Sequence, residues 1–224
     1  DVPPGTEVYV RVLAVNDGGQ SFPSETLGAR RSPDGTAPVL VVSAFDRLQG
    51  SNLVWEDIPS LGPVVRMPLE RVNNFDTTVP EGRAIAKMGW YFDSIADELV
   101  GEVPLEDYAV VIWSAGQEST EHETVSHTQQ NALRTFHATG GALLVTGSEV
   151  LWDLDYLGDV DDQAFARDIL QAGMAADDAG STQATGQGIL DRLILDFGEE
   201  DGAPYPVGYP DVIDSDAEVL AVYP

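Results

Sequence analysis

Two nearly uninterrupted apolar runs, separated by a segment with helix start and stop signals, constrain this chain more than any other feature. Residues 109–113 and 142–146 have the composition of strands that helices cover on both faces, which is typical of a parallel sheet. Between them, Ser126 and Gln129 have the spacing of a helix-capping box, and Gly140 follows the last helical residues. The pattern predicts a strand–helix–strand unit, and therefore an α/β fold with a mainly parallel sheet.

The rest of the chain adds shorter elements to this unit. Apolar periodicity and turn residues predict strands over residues 39–44, 90–95 and 219–223, and helices over residues 81–88 and 162–175. Residues 48–80 lack periodicity, which predicts an ordered excursion over the carboxyl edge of the sheet, and residues 179–210 favour hairpins or loops. Ligands of open α/β sheets bind beyond the carboxyl ends of the strands, so residues 114–119 and 147–153 are where a site is expected.

Charge and residue usage exclude several classes of function. The chain of 224 residues carries 38 acidic and 11 basic residues, a formal net charge of -27, and such a surface repels nucleic-acid phosphates and anionic lipids. It contains no cysteine, which excludes a thiol nucleophile, a thiolate metal site and a disulfide. No apolar run approaches the length of about 20 residues that spans a bilayer. We therefore expect neither a nucleic-acid partner nor a membrane span.

The first 31 residues carry a hairpin pattern. Apolar and polar residues alternate before Gly18 and Gly19, and a second extended stretch follows. The segment YVRVLAVNDGGQSFPS, which begins at Tyr9, resembles the last two strands of a fibronectin type III domain. The resemblance implies that residues 1–31 end such a domain, that residues 32–38 are a linker, and that the chain has been cut from a longer one. An unrelated hairpin packed on the main domain would show the same alternation.

Residues 39–224 resemble a second family. Phe45, Asp46 and Arg47 and the segments GQESTEHET and GSEVLWDL are similar to a domain of large secreted bacterial proteins. These proteins are often labelled xanthan lyase or N-acetylmuramoyl-L-alanine amidase, and they contain fibronectin type III domains. The domain is similar to the class I glutamine amidotransferase-like fold. The resemblance implies a flavodoxin-like three-layer sandwich in a secreted or cell-surface protein, truncated after its last strand.

Glutamine amidotransferase activity is not expected from the residues that are present. In that family a cysteine follows the strand that corresponds to residues 142–146, and a histidine and a glutamate come later in the chain. Here the turn reads Gly147, Ser148, Glu149, and no histidine lies downstream of it. The resemblance therefore implies the fold and the setting of the family rather than its reaction.

Ser148 is a candidate nucleophile of another kind. It lies on a predicted strand-to-helix turn, where an exposed hydroxyl would need a base and an oxyanion hole, and His122 is the base that the sequence offers. The full GxSxG motif is missing, and serine at the start of a helix more often serves as a cap.

Four carboxylates follow predicted strand ends and could meet at the carboxyl edge. These are Asp46, Glu118, Glu149 and Asp153. One carboxyl with a raised pKa could act as an acid while another acts as a base, which is the arrangement that cleaves glycosidic bonds. The commoner use of such groups is to accept hydrogen bonds from loop N–H groups.

Acidic clusters and aromatic residues near the same edge add two further options. Glu118, Glu121 and Glu123 surround His122, and a second cluster consists of Asp153, Asp155, Asp159, Asp161 and Asp162. Neither has the spacing of an EF-hand, so a solvated acidic face is the stronger interpretation and calcium the alternative; no other cofactor is predicted. Trp152 and Tyr156 offer a sugar-stacking surface, whereas Trp113 is expected in the core.

These patterns predict a non-catalytic or cryptic accessory domain of a secreted, multidomain surface protein. Its expected partners are extracellular or cell-envelope glycans and a neighbouring fibronectin type III domain. Two alternatives stay open. One is a hydrolase or lyase that acts on polysaccharide or peptidoglycan with the carboxylates and Ser148, and the other is a calcium-stabilised structural spacer.

Overall fold

The computed structural model describes residues 2–21, 23–45, 54–66, 77–117, 123–198 and 207–224. In chain order the first elements are β1 (Val8–Val10), β2 (Val15–Asn16), β3 (Gly19–Gln20), β4 (Leu27–Ala29), β5 (Val39–Ser43), β6 (Val54–Ile58), β7 (Gly62–Arg66), α1 (Thr78–Lys87), β8 (Phe92–Ala96) and β9 (Val110–Gln117). They are followed by α2 (His127–Ala138), β10 (Ala142–Ser148), α3 (Val160–Phe165), β11 (Gly173–Ala176), β12 (Gln183–Gly186), β13 (Ile194–Asp196), β14 (Val212–Asp214) and β15 (Ala221–Val222). Two π-helical segments, Trp152–Leu157 and Ala166–Leu170, flank α3.

A four-stranded parallel sheet forms the centre of the molecule. Its strands lie in the order β10–β9–β5–β8, and every neighbouring pair is parallel. If these four strands are numbered by their position in the sequence, their order from the β8 edge is second (β8), first (β5), third (β9) and fourth (β10). The strands predicted over residues 39–44, 90–95, 109–113 and 142–146 all belong to this sheet, which confirms the α/β class.

Helices cover both faces of the sheet at β5, but not at the edge strand β10. Alternate residues of β10 are exposed, Leu144 by 51%, so the expectation that both faces of residues 142–146 are covered was wrong. On one face Val41 of β5 lies in a cluster with Ile85 of α1. On the other face the next residue, Val42, lies in a larger cluster with Leu133 of α2 and Phe165 of α3. Successive residues of a strand point to opposite faces, so an unbroken apolar run is buried only when both faces are covered.

The helix between the last two parallel strands begins and ends as predicted. The Ser126 Oγ accepts a hydrogen bond from the Gln129 N–H at 3.4 Å, and the Gln129 side chain accepts one from the Ser126 N–H at 2.7 Å, which completes a capping box. After the helix, Gly140 adopts a φ of 95°, which favours glycine. Both ends of α2 are thus specified by local residues.

The amino-terminal hairpin lies along the β8 edge of the sheet. β1 pairs with β4, and β2 pairs with β3 around the predicted turn. The Gly28 N–H donates to the Ser94 Oγ at 2.6 Å, and this hydroxyl is within 2.8 Å of the Gly28 carbonyl oxygen. Arg30 and Phe92 exchange backbone hydrogen bonds of 2.8 and 2.9 Å. The predicted hairpin is present, and it is joined directly to the α/β core.

Two expectations for the second half were wrong. The helix predicted over residues 162–175 ends at Leu170, because Gln171 adopts a left-handed φ of 54° and β11 follows, pairing with β14. The strand predicted over residues 219–223 is shorter and joins β12 in an antiparallel sheet instead of the parallel one.

Candidate functional site

The carboxyl end of β10 turns directly into a helix. Glu149 forms the turn with a φ of 66°, a left-handed conformation that is uncommon for a residue with a side chain. A helical turn over residues 150–151 follows and continues as the π-helical segment. Strained backbone of this kind concentrates at functional positions, so this junction is a candidate position for a functional site.

Ser148 immediately precedes this turn, but its hydroxyl does not face bulk water. The Ser148 Oγ is buried and has no hydrogen-bond partner among the described residues. It therefore does not cap the helix, and no described base contacts it. The left-handed residue of the turn is Glu149, one position later than the predicted nucleophile.

A carboxylate from the far end of the chain caps this helix instead. Asp211 accepts hydrogen bonds from the backbone N–H groups of Leu151 and Trp152, while its Oδ1 is buried without a partner among the described residues. Burial, and after it the negative charge of Asp177, raise the pKa of Asp211 to about 6. No local signal in the sequence predicts this role, because Asp211 lies about 60 positions after the helix that it caps.

Ser148 and Asp211 line the same cavity of about 250 Å³. The walls are mainly apolar and include Leu151, Phe197, Val207, Ile213 and Tyr223. Burial raises the pKa of Tyr223, and the charge of Asp211 acts in the same direction, so the two side chains are electrostatic neighbours. The elbow cavity, as we call it, thus combines an apolar wall with two buried polar atoms that have no partner in the described parts of the chain.

A second carboxyl group with unusual surroundings lies beside β9. Glu81, in the first turn of α1, hydrogen-bonds to the Ser114 side chain, and its Oε2 is buried without a partner among the described residues. Burial raises the pKa of Glu81 to about 7, against the smaller lowering effect of Ser114. The hydroxyls of Thr77 and Thr78 are likewise buried and unpaired. An acidic residue in a first helical turn usually faces solvent, so the sequence offered no sign of this burial.

The described residues cover only part of the predicted catalytic set. Asp46, Glu118 and His122 lie outside them, so their convergence with Ser148 and Glu149 stays a prediction. Asp153 accepts a hydrogen bond from the Thr124 N–H at 2.8 Å, which is the loop-holding use of a carboxylate. Asp153 is thereby a structural residue in this arrangement.

The aspartate-rich run mainly serves structural contacts. Asp155 accepts a hydrogen bond from the Met174 N–H at 2.7 Å and pairs with Arg167 at 2.9 Å. Asp159 and Asp162 form the capping box of α3. Asp159 also belongs to an exposed group with His127 and Asp161, whose potential ligand atoms lie within 4.8 Å of one another. Calcium prefers six to eight oxygen ligands, so this group resembles a partial site at most.

An aromatic pair lies on the π-helical segment that follows the turn. The rings of Trp152 and Tyr156 are stacked, with centroids 4.5 Å apart and an interplanar angle of 24°. Tyr156 is 63% exposed, and Trp152 is half-buried. Trp113, by contrast, is fully buried in the core, as expected. A stacked pair with one exposed ring is the kind of surface on which a sugar ring can stack.

No helix within the described ranges is long and apolar enough to span a bilayer. No protein-family profile, curated protein or solved structure matches the chain significantly.

Proposed function

We propose that the chain is a non-catalytic accessory domain of a secreted, multidomain surface protein, and that it associates with extracellular or cell-envelope glycans. We also propose that its core is flavodoxin-like and related to the class I glutamine amidotransferase-like domains. The strand order supports this assignment, because second, first, third, fourth is the order of the first four strands in the flavodoxin arrangement.

The observation that carries the glycan proposal is the stacked pair of Trp152 and Tyr156. Sugars bind to proteins through the apolar faces of their rings, which pack on exposed aromatic side chains, while their hydroxyls hydrogen-bond to polar neighbours. Tyr156 supplies an exposed ring, and Leu157 and Val160, 46% and 78% exposed, extend the apolar surface beside it.

The hairpin supports a setting within a larger extracellular protein. Val10, Val12 and Val15 are 60%, 73% and 74% exposed, an apolar strip that a complete β-sandwich would cover. The opposite side of the hairpin contacts the α/β core, where the ring centroids of Tyr9 and Phe92 lie 6.2 Å apart. This geometry suits the end of a fibronectin type III domain that is fixed against its neighbour.

A glycan array tests the proposal. The whole chain should bind a subset of polysaccharide or peptidoglycan fragments, and the Tyr156→Ala variant should lose that binding by tenfold or more. Tyr209→Ala is the matched control, because Tyr209 is also an exposed tyrosine, at 61%, and it makes no such stack in the described residues. Equal losses in the two variants, or no binding at all, would contradict the proposal.

A hydrolase is the second candidate, and the buried Glu81 favours it. A carboxyl group with a pKa of about 7 can donate a proton near neutral pH, as a general acid must. This candidate predicts that polysaccharide cleavage is lost in Glu81→Gln and retained in a variant of an exposed glutamate, Glu102→Gln. Cleavage that is equal in both variants would exclude Glu81 as the acid.

A further inference from the structure

The elbow cavity contains an anionic group that no described lining residue balances with a positive charge. Of the described residues that line it, Asp211 alone carries a charge. Its carboxyl group accepts hydrogen bonds from the N–H groups of residues 151 and 152, and its Oδ1 is buried without a partner among the described residues. Leaving a buried polar atom unpaired costs about 1–3 kcal/mol, so an arrangement of this kind calls for a ligand.

The walls of the cavity determine which ligand chemistry fits. Calcium is unsuitable, because the side-chain oxygens of the described lining residues Asp211, Ser148 and Tyr223 fall short of the six to eight oxygen ligands that it takes. The aromatic rings of Phe197 and Tyr223 and the aliphatic Ile213 suit an apolar body, and aromatic faces attract organic cations. A cavity of about 250 Å³ lies below the range of drug-sized sites, so the ligand is small.

We propose that the elbow cavity binds a small organic ammonium ion, with its charged head at the free oxygen of Asp211 and its apolar body against Phe197 and Tyr223. Ser148 then receives a hydrogen-bond partner, because its buried Oγ accepts from an N–H of the same head group. The net charge of -27 raises the local concentration of cations around the molecule. This binding activity is separate from the glycan surface at Tyr156 and does not depend on it.

The charge state of Asp211 gives the proposal a characteristic pH dependence. Burial and the charge of Asp177 raise its pKa, while the N–H groups of residues 151 and 152 lower it. The neighbouring Tyr223 has an ordinary pKa of 10.0, which burial raises, so its hydroxyl is neutral at physiological pH. With a pKa of about 6, Asp211 is largely ionised at pH 7.5 and about one-tenth ionised at pH 5. Binding of an ammonium ion should therefore weaken by about tenfold over that interval.

Calorimetric titration of the whole chain with cyclohexylammonium chloride tests the proposal. Binding is expected at pH 7.5, with cyclohexanol, the neutral analogue of similar shape, binding at least tenfold more weakly. Asp211→Asn should abolish the preference for the cation. Asp214→Asn should retain it, since Asp214 lies three positions away with a side chain that is 70% exposed, and the two variants have the same net charge.

Three results would overturn the proposal. They are equal binding of cyclohexanol and cyclohexylammonium, the same affinity for the cation in Asp211→Asn and Asp214→Asn, and no detectable binding at millimolar concentration. Circular dichroism establishes that each variant is folded. Should Asp211→Asn fail to fold, the pH series on the unaltered chain decides the question, because affinity that stays constant from pH 7.5 to pH 5 contradicts a role for this carboxylate.

Discussion

The two buried carboxyl groups, Glu81 and Asp211, are the individual residues with the most informative chemistry. Burial is the main reason that the pKa of each group is raised, which favours its neutral form. Each group also keeps one oxygen without a partner among the described residues. Evolution rarely keeps such groups for stability, since an apolar residue of similar size costs less to bury. Glu81 lies beside Ser114 of β9, and Asp211 lies beside Ser148 at the end of β10. Two such groups near the carboxyl ends of neighbouring strands favour a ligand-binding site at this edge of the sheet.

Replacing Glu81 by Gln should make the protein more stable at alkaline pH. Because the folded-state pKa, about 7, lies above the ordinary value of 4.5, the stabilising effect of the neutral carboxyl is complete below pH 4.5 and is lost as the pH rises through 7. Glu81→Gln removes the cost of ionisation, so at pH 8 its free energy of unfolding should exceed that of the unaltered chain by up to ~3 kcal/mol.

Urea denaturation at pH 4.5 and pH 8 measures this effect. The difference between the two proteins should be small at pH 4.5 and large at pH 8. Glu102→Gln, a change at an exposed site, serves as the control and should behave like the unaltered chain. A Glu81→Gln variant that is less stable than the unaltered chain at pH 8 would show that Glu81 is held as an anion.

At the scale of elements, the contact between α1 and the hairpin ties the amino-terminal segment to the sheet. Gly82 is buried in α1, and a Cβ built on it would lie 2.4 Å from the Phe92 ring and 2.6 Å from the Tyr9 hydroxyl oxygen. The missing side chain therefore allows α1 to approach β8 and β1 at the same time. This packing makes Gly82 structurally necessary even though glycine is a poor helix former.

Gly82→Ala is expected to destabilise the protein by about 1–3 kcal/mol, the usual cost of overpacking a core. Helix propensity alone predicts the opposite sign, a gain of about 1 kcal/mol, so the direction of the change is decisive. Thermal denaturation measures it, with Gly208→Ala as the control because nothing lies within 4 Å of a Cβ at that position. A raised melting temperature for Gly82→Ala would mean that α1 does not pack this closely.

The strands and helices that the sequence predicted well are those with local signals. The apolar runs of β5, β9 and β10 and the Ser126 capping box are each specified within a few residues. The elbow cavity could not be predicted in this way, because Asp211 and Tyr223 reach it only through the antiparallel strands of the carboxyl-terminal region. The sequence predicts a loop around Asp211, and Asp211 does lie outside any helix or strand. The burial of its side chain, however, depends on tertiary contacts, which a local pattern does not encode.

Over the whole molecule, the charge of -27 dominates the response to salts and metal ions. Any cation should stabilise the folded chain by reducing self-repulsion, so a general salt effect must be separated from a specific site. Asp155, Asp159 and Asp162 already accept backbone hydrogen bonds, which leaves few free ligands for calcium in this run.

We therefore expect calcium to raise the melting temperature no more than magnesium does at the same concentration and ionic strength. Differential scanning calorimetry in 5 mM of either ion measures this. A larger, saturable rise with calcium would follow from mass action at a specific site and would instead support the structural-spacer alternative.

We propose that the chain holds glycans without cleaving them. Size-exclusion chromatography with light scattering is the decisive experiment, since one run on a mixture of the protein with xanthan or solubilised peptidoglycan reports both binding and polymer mass. The protein should elute with the polysaccharide while the molar mass of the polymer stays unchanged over hours. A molar mass that falls with the unaltered chain and stays constant with Ser148→Ala or Glu81→Gln would contradict it and identify the protein as an enzyme.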